Sequence, residues 1–112
     1  MSKFDETFDK IKAEAKKIGL RTNDELLTAV CKGMGPSLYK ADAAKVAFSD
    51  KDELERVKKN FLVKKLGLPN DAKLDKALNE VKEKFGASNR NKLRALTYYM
   101  LVKKFKKEDL YV

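Results

Sequence analysis

Five glycines and two prolines divide the chain into several segments, so no single regular element can run through its whole length. Between these breaks the apolar residues recur every three or four positions, the spacing of one buried face on an α-helix. No strand-rich pattern competes with this spacing. We therefore predict an all-α fold: a compact single-domain bundle of about five helices formed by residues 1–112.

The first predicted helix covers residues 4–18, where the apolar positions are four or three residues apart. Gly19 follows it and can supply the left-handed residue that ends many helices. The second helix is predicted to begin after Asn23, whose side chain is a suitable N-cap, and to close at Gly33.

The segment that follows is harder to assign, because residues 33–37 contain two glycines and a proline and cannot continue a regular helix. Two structures are open for residues 38–48. Pro36 can begin a helix of one or two turns, or residues 45–48 can be extended.

Three further helices are predicted in the second part of the chain. Ser49 is the expected N-cap of the third, which ends before Gly67. The fourth carries a helical stripe that ends at Gly86, formed by Leu74, Ala77, Leu78, Val81 and Phe85.

The last helix is expected to be capped by Ser88 or Asn89 and to run to about Lys107. Residues 95–102 are apolar on almost every side, which indicates that this helix is the central and most buried one.

The composition excludes several chemistries. The chain has no histidine and one cysteine, so a histidine-based catalytic triad, a zinc site of imidazoles or several thiolates, and an internal disulfide cannot form. Cys31 lies beside Val30 on the predicted buried face, and we expect a core thiol there rather than a nucleophile. No apolar run approaches the roughly 20 residues that span a bilayer. We expect a cytoplasmic protein with no catalytic residues, no bound metal and no cofactor.

Two weak motifs have plainer explanations. Gly33 and Gly35 resemble a fragment of a phosphate loop, but they follow a helix rather than a strand and no Gly-Lys-Ser/Thr completes the motif. The carboxylates of residues 50–55 do not have the spacing of a calcium loop, and acidic residues are favoured at the start of a helix.

The charge is distributed unevenly. Residues 1–56 hold eleven basic and eleven acidic side chains, whereas residues 57–112 hold fifteen basic and six acidic ones, so the second half carries the whole net charge of +9. Such asymmetry favours an acidic partner. The predicted polyanion footprint consists of Lys58, Lys59, Lys64, Lys65, Arg90 and Arg94.

A solvated basic surface is the alternative explanation, because lysines near the end of a helix stabilise its dipole without binding anything. Tyr98 and Tyr99 could stack on bases, but adjacent helical residues point about 100° apart, so at least one of the two belongs to the core.

The motifs that remain resemble one family. They are Gly33-Met34-Gly35-Pro36-Ser37, Tyr39 with Asp42, Lys58-Lys59-Asn60-Phe61-Leu62, Lys64-Lys65-Leu66-Gly67, Asn89-Arg90, Tyr98-Tyr99 and Lys103-Lys104-Phe105. Over nearly its whole length the chain resembles small uncharacterised bacterial proteins of the domain of unknown function 2853 family. The resemblance implies a bacterial, stand-alone helical protein, and it brings no activity, ligand or catalytic residue.

Together these observations lead to the hypothesis of a non-enzymatic binding module whose basic C-terminal half meets a polyanion, either nucleic acid or an acidic protein. The alternative is a structural or protein–protein interaction module with no role in nucleic-acid binding. A monomer or a weak homodimer is expected in either case. Salt distinguishes the two hypotheses, because binding to a polyanion weakens steeply as counterions compete.

Overall fold

The structure, a computed structural model, describes residues 3–40, 44–86, 88–89 and 91–111, and these residues form five α-helices. The helices are α1 (Lys3–Lys17), α2 (Asp24–Met34), α3 (Lys51–Arg56), α4 (Ala72–Phe85) and α5 (Arg94–Lys104). Short 3₁₀-helices cover Gly35–Tyr39 and Glu108–Leu110, and a π-helix, Val57–Val63, continues α3. The predicted all-α bundle is confirmed.

The first two helices follow the sequence prediction closely. Gly19 has φ of 71°, so it is the left-handed residue expected after α1. At the start of α2 the side chain of Asn23 accepts a hydrogen bond from the backbone N–H of Leu26 over 3.1 Å, which confirms the predicted N-cap. The predicted end at Gly33 is wrong: α2 continues to Met34, and Gly35 takes the positive φ of 58° that ends it.

Each of the two structures considered for residues 38–48 occurs in part: a short helix at the start and a single β-bridge at Lys45, whereas Phe48 lies in a turn. Pro36 stands in the first turn of the 3₁₀-helix Gly35–Tyr39. Further on, Lys45 forms an isolated antiparallel bridge with Leu93, and the N–H of Val46 donates to the carbonyl of Lys92 over 2.9 Å. Residues 41–43 of this stretch lie outside the described residues.

The third helix differs from its prediction at both ends. Asp50, not Ser49, is the N-cap: its carboxylate accepts hydrogen bonds from the N–H groups of Asp52 at 2.9 Å and Glu53 at 3.3 Å. Beyond α3 the chain widens into the π-helix, which buries Val57, Phe61 and Leu62. In the turn that follows, the N–H of Leu66 donates to the carbonyl of Phe61 over 2.9 Å, a five-residue step in place of the regular four.

The last helix is shorter than predicted. It begins at Arg94, and neither Ser88 nor Asn89 caps it, because residues 91–93 lead up to the bridge with Lys45 instead of coiling. The helix ends at Lys104 rather than Lys107, since Lys106 adopts φ of 56° and turns the chain back.

The prediction that the last helix is central is confirmed. It packs against α1, α2 and α4, and its buried residues are Ala95, Leu96, Thr97, Tyr99, Met100, Leu101 and Val102. Cys31 is fully buried, as expected for a core thiol, and Tyr99 is the core member of the tyrosine pair. In the part of the chain that is described, no helix has the length and apolar character needed to cross a membrane.

Candidate anion-binding cleft

The structure describes five of the six residues of the predicted polyanion footprint, and it places them in different surroundings. Lys58 is drawn towards α4, where its ammonium lies 3.0 Å from a carboxylate oxygen of Asp75 and 3.8 Å from one of Glu55. Only 12% of the Lys58 side chain is exposed, so this lysine joins the π-helix to α4. Arg90 lies outside the described residues.

Arg94 is also held by the protein itself. It forms an ion pair with Glu53 in which both side chains are 15% exposed, and it donates a hydrogen bond to the carbonyl of Lys45. Arg56 reaches the other oxygen of Glu53 at 3.0 Å. Burial of Glu53 acts to raise its pKa, but the hydrogen bonds from Arg56 and Arg94 outweigh that effect, and the pKa of Glu53 is lowered.

The remaining three lysines of the footprint, Lys59, Lys64 and Lys65, are exposed. Lys59 and Lys64 are five residues apart on and just after the π-helix. Lys65 differs from these two lysines, because its side chain lines a small pocket together with that of Arg94.

A different set of basic residues surrounds a larger cleft of about 490 Å³ between α4, α5 and the α1–α2 connection. We call it the lysine cleft and define it by its nine described lining residues: Leu20, Arg21, Glu80, Val81, Lys84, Tyr99, Met100, Lys103 and Lys104. Four of them are cationic and, among the described residues that line it, one is a carboxylate. Buried apolar groups from α4 and α5 form the floor, and the cations stand at the rim.

Helix geometry explains why these cations converge. Lys84 lies in the last turn of α4 and donates a hydrogen bond of 3.4 Å to the carbonyl of Gly19, which brings the end of α4 to the α1–α2 connection that carries Arg21. Lys103 and Lys104 occupy the last turn of α5.

The ion pairs at the rim are exposed. Lys104 pairs with Glu80, and Lys103 lies 3.6 Å from a carboxylate oxygen of Glu108 with 51% of its side chain accessible. The hydrogen bond from Lys104 lowers the pKa of Glu80, so this carboxylate keeps its charge at neutral pH. Exposed ion pairs contribute little stability, so a phosphate could replace either carboxylate at small cost.

Sequence reasoning missed this cleft. Lysines near the C-terminal end of a helix interact favourably with the helix dipole, and Lys103 and Lys104 do lie in the last turn of α5. This position does not exclude a second role in binding. Arg21 gives no signal at all, because it is a lone arginine in a connection. The four cations come together only because α4, α5 and the α1–α2 connection pack against one another.

The smaller pocket, of about 290 Å³, lies between the end of α2, the π-helix, α5 and the C-terminal segment. We call it the tyrosine pocket; its described lining residues are Gly33, Met34, Ser37, Asn60, Phe61, Lys65, Arg94, Tyr98 and Tyr111. The rings of Phe61 and Tyr98 lie face to face, with centroids 3.8 Å apart and planes 5° from parallel.

Neither site offers a set of metal ligands. Across the described ranges, no group of three or more histidine, cysteine or acidic side chains converges. The polar side chains of the cleft and the pocket are mainly hydrogen-bond donors: ammonium, guanidinium and phenol groups. Such groups bind and orient acceptors or anions.

By its fold and its cleft, this molecule is a small all-α protein whose central helix carries part of a basic surface. This chain belongs to the family described as "Protein of unknown function (DUF2853)", whose family model matches residues 9–109. The family membership inferred from its motifs is thereby confirmed. No curated protein matches the chain.

Proposed function

We propose that this protein is a non-enzymatic, cytoplasmic binding module that holds the phosphate backbone of a nucleic acid in the lysine cleft. One observation carries the proposal: Arg21, Lys84, Lys103 and Lys104 come from three separate segments and line one cleft. Nucleic-acid backbones are bound by such sets of lysine and arginine side chains, whatever the base sequence.

The charges of the cleft suit a partner that is held weakly and released easily. All four cations are exposed, and they surround an apolar floor instead of being neutralised within the core. By contrast, Lys58 and Arg94 are mostly buried beside carboxylates and would lose those partners on binding a phosphate. We therefore assign the main role to the lysine cleft and a lesser one to the exposed Lys59 and Lys64.

The non-enzymatic part of the proposal rests on the groups that surround the cleft. Glu80 is the one carboxylate among its described lining residues, and its lowered pKa makes it a poor proton acceptor near neutral pH. Tyr99, also in the cleft wall, is buried and already accepts a hydrogen bond from the backbone. The cytoplasmic assignment is supported by the single buried, unpaired Cys31, which suits a reducing compartment.

The second candidate is a protein–protein interaction module. Its support is the presence of two exposed large apolar side chains, Tyr39 on the 3₁₀-helix and Leu110 in the C-terminal segment. An interface built on such side chains would depend little on salt, whereas the binding of a nucleic acid weakens as salt rises.

A binding measurement with two matched variants tests the proposal. Fluorescence anisotropy of a labelled oligonucleotide, single- or double-stranded, would be recorded from about 50 to about 200 mM salt. The cleft variant carries Lys84→Gln and Lys103→Gln, and the control carries Lys59→Gln and Lys64→Gln. Both variants lose two positive charges, so net charge cannot account for a difference between them.

We expect the cleft variant to bind more weakly than the control. In a plot of the logarithm of the binding constant against the logarithm of the salt concentration, its slope should be less steep by roughly one unit for each phosphate that the protein no longer neutralises. A larger effect in the control would instead assign the main role to Lys59 and Lys64, which belong to the footprint predicted from the sequence. Absence of binding by the wild type at about 50 mM salt would reject the nucleic-acid proposal in favour of the interaction module.

A further inference from the structure

The tyrosine pocket contains a hydroxyl whose hydrogen-bonding capacity is only half used. The Tyr98 hydroxyl accepts a hydrogen bond from Nη1 of Arg94 over 3.2 Å. A phenol also has one hydrogen to donate, and in the part of the chain that the structure describes no acceptor takes it. Since Tyr98 lines the pocket, that hydrogen is available to a bound molecule.

A positive charge lies at the same pocket. The ammonium of Lys65 is 5.1 Å from the centroid of the Tyr111 ring, which also lines the cavity. Among the described residues Lys65 forms no ion pair with a carboxylate, unlike Lys58 and Arg94. The pocket therefore combines an unneutralised cation with phenol donors.

The surrounding residues hold these groups in place. Tyr98 is fixed by its stack on Phe61 and by Arg94, which is itself held by Glu53. Tyr111 approaches Gly33 so closely that a methyl group there would lie 3.4 Å from a ring carbon. The π-helix contributes Asn60 and Phe61 to the same wall, and widened turns of this kind are frequent at functional sites.

We propose that the tyrosine pocket binds a small organic acid or phosphate ester through its oxyanion group. Lys65 supplies the charge, and the Tyr98 and Tyr111 hydroxyls donate hydrogen bonds to the oxyanion. Arg94 is a positioning residue, because its donors are engaged by Glu53, Tyr98 and the carbonyl of Lys45. A cavity of about 290 Å³ is at the lower end of the usual size for ligand pockets, which limits the ligand to a small molecule.

This site is independent of the lysine cleft. Tyr98 and Tyr99 are adjacent on α5 and point about 100° apart, so the pocket and the cleft lie on different faces of that helix. Failure of the nucleic-acid experiment would leave the proposal for the pocket unaffected.

The test is a titration of ¹⁵N-labelled protein followed by amide chemical shifts, with inorganic phosphate and benzoate as separate probes and ionic strength held constant with chloride. We expect saturable shifts around residues 60, 98 and 111 with at least one probe. Saturation by phosphate alone would identify a phosphate ester as the ligand class, and saturation by benzoate alone a carboxylate.

Three variants make the test specific. Tyr98→Phe keeps the ring stacked on Phe61 and removes only the hydroxyl, and Lys65→Gln removes the charge; each should weaken binding about tenfold. Lys73→Gln makes the same charge change on an exposed lysine of α4 that does not line the pocket, and it should leave the affinity unchanged. The proposal is overturned if neither probe saturates by about 50 mM, or if Tyr98→Phe and Lys65→Gln bind as the wild type does.

Discussion

The hydroxyl of Tyr99 accepts a hydrogen bond from the backbone N–H of Asn23 over 2.8 Å, although the two residues are 76 positions apart in the chain. Asn23 in turn caps α2 with its side chain. One tyrosine on the central helix therefore fixes the point at which α2 begins, and it does so from the wall of the lysine cleft.

Replacing Tyr99 by Phe should destabilise the protein by about 1 kcal/mol, because the ring still fills the core but Asn23 loses its acceptor. Urea denaturation followed by circular dichroism would measure the change. A variant as stable as the wild type would show that water satisfies the Asn23 N–H equally well.

Replacing Phe61 by Ala should cost about 3–5 kcal/mol, since its ring is buried and lies flat on Tyr98. Phe8→Ala is the comparison: Phe8 is only half-buried and stacks on Phe4 near the surface of α1, so it should cost less. An unchanged denaturation midpoint for Phe61→Ala would contradict the assignment of this ring to the core.

Cys31 should react slowly with a thiol reagent in the native protein and rapidly after unfolding. Burial raises the pKa of its thiol to about 11, so at pH 8 only about one molecule in a thousand carries the reactive thiolate, and the side chain is inaccessible as well. The measurement compares the labelling rate with 5,5′-dithiobis-nitrobenzoate in buffer and in concentrated urea. Equal rates would mean that the thiol is accessible in the folded state.

The stability of the protein should fall in acid partly because of Glu53. Its pKa is lowered in the folded state, so its contribution is complete above the ordinary glutamate pKa of about 4.3 and disappears as the pH falls through the lower folded pKa. Urea denaturation between pH 7 and pH 3 should show a smaller loss of stability in Glu53→Gln than in the wild type. Glu83→Gln removes an exposed carboxylate on α4 and is the matched control; identical acid profiles for all three proteins would contradict this role of Glu53.

Features set by local chemistry could be predicted from the sequence. The cap at Asn23 depends on a side chain and an N–H three residues apart, and the end of α1 depends on a glycine beside it. The central position of α5 followed from a stretch that is apolar on nearly all sides. Each of these signals lies within a few consecutive residues.

Features set by tertiary contacts could not be predicted. The spacing of Val57, Phe61 and Leu62 fits a regular helix as well as a π-helix, so the widened turn has no signature in the apolar pattern. The start of α5 lies at Arg94 because residues 91–93 lead up to the bridge with Lys45, which is distant in the sequence. The lysine cleft could not be predicted either, because its lining residues come from three segments that are distant in the sequence and meet only in the folded protein.

The bridge between Lys45 and Leu93 has a consequence for the connectivity of the molecule. Arg94 also donates a hydrogen bond to the carbonyl of Lys45, 49 positions away in the chain. These two contacts hold together the ends of a long loop that contains α3 and α4. Closing so long a loop costs chain entropy that only the packing of the enclosed helices can offset. The contact between Lys45 and residues 93–94 should therefore form during folding together with α3 and α4. If the backbone were cleaved between α3 and α4, the two fragments would still meet at this contact.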